Sequence, residues 1–447
     1  MKITRLSLIA VCAVLIFSSA VAQPALRRGT ARAFTDAFAA RDWDRLLALM
    51  HPEFLGTHKI EEWKTLREEL GKQGGDLLRH AFLSIDKKGA YTTIVHRAYF
   101  RKDSLDFRMV VDTLNLIEGF WVDMITPAYA FAPPPYAKRS KFREVPMTIG
   151  DSASALPGTL SIPKSRGRHP VVILVHDSGP LDRDATVKGN RPLRDLAWGL
   201  ASDGVMVLRY EKRSRAFPRS LDPGKVTVKE EIVDDVLAAV RILRARKDVD
   251  TSRLFVVGHS HGGTVAPEIA TREAGVKGIA LLASAARPLE DVIEDQLLFV
   301  AALTDSSAGK AHKTLAAQRA SLEKIRRHEL PESTIVLSAP AHYYYDLQKR
   351  SAVKTAKKLS IPVFLAFGGK DYQVTRKDEE IWRSALGDKT NVVFHTCENC
   401  THLLIETAAQ PGPANYNTEG HVSPGLIRAL TEWCRNPSGD GRVAGGK

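Results

Sequence analysis

Cysteine is nearly absent, with four in 447 residues. That excludes a disulfide-scaffolded fold, which needs several bridges in a short chain. Aromatic residues are sparse at 7%, and no nucleic-acid-binding module is recognisable. The formal net charge of +13 is scattered, with only mild clusters such as KIRRHE at 324–329. A scattered surplus is a solvated basic surface, so no nucleic-acid partner is expected. Long apolar runs are also missing. The one candidate, Leu6 to Phe17, is short for a bilayer, and no second stretch approaches spanning length. Lys2 and Arg5 precede it and Ala20-Val21-Ala22 follows, which reads as a signal peptide over 1–22. The expectation is a secreted or periplasmic protein with no membrane span after cleavage. The alternatives are a retained N-terminal anchor or lipid attachment at Cys12, where Val11 is bulky for such a site. Export leaves Cys397, Cys400 and Cys434, enough for one disulfide and one free thiol.

What is present is a globular composition, 44% hydrophobic and 26% charged, long enough for more than one domain. Residues 23–125 open with an amphipathic helical pattern, ARAFTDAFAARDWDRLLALM. The stretches YTTIVHRAYF (91–100), LDFRMVVDTLNL (105–116) and GFWVDM (119–124) then alternate as strands. Helices followed by antiparallel strands suggest a small α+β domain. His51, Trp63 and Trp121 are candidates to line a pocket there, with core packing the default use of the tryptophans. Residues 126–142 are Pro-rich and aperiodic, an expected linker. From 143 to 436 short apolar runs (171–176, 205–210, 254–259, 278–283, 362–367 and 391–396) alternate with helical patterns, as in a mostly parallel sheet covered on both faces. About 286–355 breaks that alternation with helical periods, an expected lid, and 437–447 reads as a flexible tail.

The chemistry concentrates in three places. VVGHSHGG (256–263) sets Gly258-His259-Ser260-His261-Gly262 between a strand and a helix, the G-x-S-x-G turn that lifts a serine hydroxyl above a sheet. A serine nucleophile needs a base and an orienting acid. Asp371 follows the strand PVFLAF, and His402 follows NVVFHT, in the chain order such folds use. His421 is the rival base. Asp378, Glu379 and Glu380 read as a solvated helix start, and His395 as a strand residue. The backbone N–H groups of His261 and Ser178 are the expected oxyanion donors. His176, Tyr343 and Tyr344 are substrate-contact candidates, although the aromatic run at 343–345 equally suits lid anchoring.

The segment VVILVHDSGPLDRD, the stretch RYEKRS (209–214), DYQV (371–374) and CTHLL (400–404) together resemble the α/β-hydrolase superfamily, in particular secreted bacterial esterases and serine-aminopeptidase-like hydrolases. The resemblance covers about 143–435. It implies an α/β-hydrolase sheet with a helical lid, an acyl-enzyme mechanism through Ser260, Asp371 and His402, a small-molecule acyl ester or amide substrate, and no cofactor. Carboxylesterase is favoured over aminopeptidase because no acidic anchor for a substrate amine is evident. Two departures stand out: Asp177 replaces a usual glycine in the oxyanion loop, and RYEKRS carries Glu211 and Ser214 where Asp and Gly are usual. The N-terminal part resembles the nuclear-transport-factor-two-like cone domains in pattern alone.

The stretch HTCENCTH (395–402) admits a metal site, a redox pair, or a loop holding one catalytic histidine. Zinc sites usually join ligand pairs across a longer loop, and no companion pair exists, so no metal is expected. Haem attachment needs histidine where Thr401 stands. A non-catalytic envelope binding protein remains a separate alternative, against which the intact Ser, Asp, His order weighs.

Overall fold

The computed structural model describes residues 25–437 except 58, 89–90, 102–103, 125–131, 151–153, 223, 304–309 and 338. The expected signal peptide and nearly all of the expected tail lie outside the described residues. The chain divides into two compact units, Met1–Ala128 and Tyr129–Lys447.

In the first unit, helices over 25–40, Trp43–Ala48, Pro52–Thr57 and Ile60–Gly74 precede four antiparallel strands: β1 (Leu77–Lys88), β2 (Tyr91–Phe100), β3 (Ser104–Val111) and β4 (Ile117–Met124), paired in that order. Ala31, Phe34, Ala37 and Phe38 recur at helical spacing and are buried, while β2 alternates buried and part-buried positions. Phe34, Phe38, Trp63, Phe107 and Phe120 meet in edge-on and tilted ring pairs at the centre. Trp63 is core, as expected. Trp121 is not: it is 42% exposed, with the Arg108 guanidinium 4.8 Å from its ring. His51 faces Asp112 at 3.8 Å.

In the second unit, eight strands form one sheet: β5 (Phe142–Ile149), β6 (Leu156–Pro163), β7 (His169–Val175), β8 (Met206–Tyr210), β9 (Val249–His259), β10 (Gly278–Leu282), β13 (Val363–Gly368) and β14 (Val392–Cys397). β11 (Ile335–Val336) and β12 (Ala339–Pro340) make a separate short hairpin. The order is β14-β13-β10-β9-β7-β8-β6-β5, parallel from β14 to β8 and antiparallel at β6 and β5. The apolar runs are continuous because successive side chains enter opposite layers. Val171, Ile173 and Val175 of β7 join Val236, Val240 and Ile269 on one face. Val172 and Leu174 join Leu196, Leu200, Leu426 and Leu430 on the other.

The Pro-rich stretch differs from the expected linker. Its described part is packed into this unit: Tyr136 donates its hydroxyl to the Val422 carbonyl (2.8 Å) and Lys138 N–H donates to Ser202 Oγ (2.7 Å). Between β10 and β13 lie the helices Leu289–Leu303, Lys310–Arg326, Ala341–Gln348 and Ala352–Lys357. The helix start at 376–386 also differs from its solvated reading. Asp378 is fully buried because Arg287, 91 residues away, reaches it with its guanidinium, and the Ala286 and Arg287 amides donate to it as well. Glu379 is buried by Arg376 and Arg383.

Candidate active site

Strand β9 ends in a turn that only small neighbours permit. Ser260 holds φ +52°, a left-handed conformation costly for a residue with a Cβ. A Cβ on Gly262 would meet the carbonyl oxygens of His176 and Val175 at 2.5 and 2.6 Å, and one on Gly258 would collide with the Gly262 backbone. The helix His261–Arg272 begins at once, so its first amides point back toward the serine.

The expected acid and base come from adjacent strand ends. Asp371 follows β13, accepts the Gln373 and Val374 amides at 2.7 and 3.0 Å, and is reached by His402 Nδ1 at 2.7 Å. That contact fixes the tautomer, leaving Nε2 as the other working nitrogen. The two loops are laced by backbone bonds, Gly369 N–H to Cys397 O (2.8 Å) and Lys370 N–H to Cys400 O (2.9 Å). Cys397 and Cys400 form a disulfide, while Cys434 is free and buried. Ligand atoms of Cys397, Cys400 and Glu406 lie within 4.8 Å of one another, but the two sulfurs are bonded to each other. The rival His421 is committed elsewhere: its Nδ1 meets the buried Asp195 at 3.1 Å. His395 lies in β14, stacked on Phe364.

The two expected oxyanion donors converge on one oxygen, and that oxygen belongs to Asp177. Its Oδ1 accepts from Ser178 N–H at 2.6 Å and His261 N–H at 3.4 Å, and also from the Ser178 hydroxyl at 3.2 Å. Its Oδ2 stands 3.5 Å from His402 Nε2. Among the described residues, His402 Nε2 makes no hydrogen bond to Ser260. Burial alone would lower the His402 pKa, but the Asp371 charge, hydrogen bonding of the imidazolium to the Asp177 and Asp371 carboxylates, and the Asp177 charge outweigh it and raise it to about 10. Burial alone would raise the Asp177 carboxyl, and the hydrogen bond and charge of His402 hold it well below the usual carboxylate range.

Several functional neighbours escape a reading by motif. His259 donates Nε2–H to the His402 carbonyl at 2.8 Å, and burial followed by the nearby His402 charge lowers its pKa. Lys212, 2% exposed, donates to the Asp177 carbonyl at 2.9 Å and pairs with Glu231 at 3.1 Å. Tyr343 donates to Glu231 at 2.5 Å and meets His261 Nε2 at 3.0 Å. The sequence signals for this network are the RYEKRS stretch, which holds Lys212, and the aromatic run at 343–345, which reads as substrate contact or lid anchoring and not as a bond to Glu231. Arg209 of the same stretch binds Asp184 and Glu144.

A cavity of about 1050 Å³ opens on this site, lined by Asp177, Ser178, Ser260 and His261 together with lid residues that include Tyr343 and Tyr344. Tyr344 donates its hydroxyl to the Val336 carbonyl and packs in the small lid core, as does Tyr345. The expectation for His176 is corrected. It is 1% exposed, edge-on to Tyr210 beneath the loop, and outside the cavity lining.

Residues 193–407 match the family described as serine aminopeptidase, S33. Esterase EstD of Thermotoga maritima is 40% identical over 334 residues, covering 75% of this chain and 77% of that protein. The chain belongs to the esterase- and serine-aminopeptidase-like α/β-hydrolases. Among solved structures, this α/β-hydrolase is similar to Est1E from Butyrivibrio proteoclasticus at 16% identity, with TM-score 0.43 and coverage of 65% of this chain and 98% of that one. A puromycin-hydrolysing peptidase of Mycobacterium tuberculosis is similar at 18% identity, with TM-score 0.44 and coverage of 79% and 47%.

Proposed function

We propose that this protein is an exported serine hydrolase that cleaves carboxylic ester or thioester bonds through an acyl-enzyme. Ser260 attacks the acyl carbonyl while His402 Nε2 takes its proton, and Asp371 orients and stabilises the imidazolium. The Ser178 and His261 amides hold the oxyanion at the point where both now meet Asp177 Oδ1. The alcohol leaves with the proton from His402, and water activated by the same imidazole releases the acid. The observation that carries this reading is the 2.7 Å His402–Asp371 contact at the strand ends beside a serine at φ +52°. Likeness to an esterase at 40% identity supports the ester substrate. The leader-like 1–22 segment and the Cys397–Cys400 bridge support export.

The family description favours a second reading, hydrolysis of aminoacyl amides on the same residues. A panel of chromogenic acyl esters and aminoacyl amides, with fluorophosphonate labelling of wild type and Ser260→Ala, separates the two. Ester turnover and labelling that vanish in Ser260→Ala are expected. Turnover of aminoacyl amides alone would overturn the ester assignment, and equal labelling of both proteins would sink the serine mechanism. For export, the mass of the protein recovered from the periplasm or medium is expected to begin after Ala22. A full-length protein in the cytoplasm would refute it.

A further inference from the structure

We infer that Asp177 is a built-in occupant of the oxyanion hole, a side-chain gate that must swing out before an acyl carbonyl can enter. The inference rests on the serine-hydrolase reading above. One carboxylate oxygen lies between the two amides that would hold the oxyanion, and the other faces the base nitrogen at 3.5 Å. A carboxylic-acid product about to leave such a site would make the same contacts. In this state two catalytic functions are occupied internally and the serine–histidine link is unmade. The donors are taken, the base nitrogen faces a carboxylate, and His402 Nε2 makes no bond to the serine. A negative tetrahedral oxygen cannot share that position with a carboxylate, since two like charges would meet with little solvent between them.

The geometry also supplies the way out. Lys212 holds the Asp177 carbonyl at 2.9 Å, and Gly262 is packed against the carbonyls of Val175 and His176, so the loop backbone is fixed. The Asp177 side chain is 22% exposed and borders the 1050 Å³ cavity. Rotation about its side-chain bonds alone vacates the hole and leaves both amides in place. Because substrate must displace this carboxylate, the fraction of enzyme with an open hole scales kcat/KM directly. Glycine, the residue usual in the proteins this loop resembles, has nothing to displace.

The test compares wild type, Asp177→Gly and Asp177→Asn on a chromogenic acetyl ester, with the Ser260→Ala counterpart of each as the inactive control. Fluorophosphonate labelling rates and inhibition by phenylboronic acid, whose serine adduct fills the hole, are measured alongside. Asp177→Gly is expected to raise kcat/KM by about 10- to 100-fold, up to the lower end of the roughly 10²- to 10³-fold that a single oxyanion donor commands. Its labelling rate should rise and its boronate inhibition constant fall by similar factors. Asp177→Asn, which keeps the shape and loses the charge, should fall between the two. A merely structural aspartate would give slower variants and no gain in boronate affinity. If both variants label with fluorophosphonate yet turn over at or below the wild-type rate, the gate is refuted. It is equally refuted if Asp177→Gly loses only aminoacyl substrates, which would make Asp177 an ammonium anchor. If no protein in the set is labelled, or Ser260→Ala variants remain active, the serine mechanism itself fails and the gate fails with it.

Discussion

Lys212 is the residue on which the oxyanion loop and the lid both depend, and its removal has a calculable cost. It is almost fully buried, and the Glu231 carboxylate it pairs with is only 13% exposed. Breaking such a pair by deleting one partner leaves an uncompensated charge, worth about 3–5 kcal/mol. An unfolding entropy of about 2.1 cal/mol/K per residue over roughly 300 residues then places Lys212→Met about 5–8 °C below wild type in Tm. Lys212→Met/Glu231→Gln should recover most of that loss, since neither charge is then stranded. Activity should not recover with it, because the Asp177 carbonyl remains unheld in both variants. Differential scanning calorimetry with parallel ester kinetics on the two singles and the double reads both effects. A single variant within 1 °C of wild type, on this scale under about 1 kcal/mol, would refute the stability argument. A double variant with wild-type kcat/KM would refute the positioning role.

Further outcomes follow from the same contacts. His402→Ala should lower kcat by about 10⁴-fold or more, whereas His421→Ala should stay within a few-fold of wild type, as steady-state ester kinetics would show. Cys397→Ser/Cys400→Ser should fold and retain hydrolysis while losing up to about 2 kcal/mol to denaturant, the entropy of closing so short a loop. Complete loss of turnover in a folded protein would contradict that. Folding raises His402 from 6.5 to about 10, so its contribution to stability is complete below pH 6.5 and disappears as pH climbs to about 10. The difference in urea-unfolding free energy between wild type and His402→Ala should therefore shrink across that window. A constant difference would show that His402 is not paired as described.

Much of the second unit was legible because strands buried on both faces leave unbroken apolar runs, as β7, β8, β10, β13 and the second half of β9 do, and the half-buried edge strand β14 still carries a short apolar run. The edge strand β5 and its neighbour β6 were not, since Pro146 and Pro157 interrupt their pattern and each pairs antiparallel outside the alternation. In the first unit β1 escaped for a related reason: most of its positions are exposed or half-buried, so no period of two marks it. Ser260, Asp371 and His402 could be placed because their spacing follows the strands. The links among Lys212, Glu231 and Tyr343 could not, although Tyr343 itself stood out, because these contacts cross 19 and 112 positions of chain and depend on how the lid lies. Asp378 shows the opposite failure, an acidic helix start whose buried partner is invisible without the fold. Asp177 was visible as an unusual residue, but nothing in its neighbourhood announces that its carboxylate fills the hole beside it.

The backbone lacing between the loops of Asp371 and His402 has a modular consequence. The acid and base are registered to each other by main-chain bonds from residues 369 and 370 to 397 and 400, independent of any side chain between them. The pair is therefore a prefabricated cassette at one side of the sheet, and the roughly 80-residue excursion between β10 and β13 is chain whose length can change without disturbing the main-chain bonds that align it. What such an exchange does reach is the tyrosine that the lid sends down to Glu231 and His261. New acyl specificity in this protein is thus least constrained in the interior of the lid and most constrained where Arg287, His342, Tyr343 and Arg350 tie it to the rest of the unit.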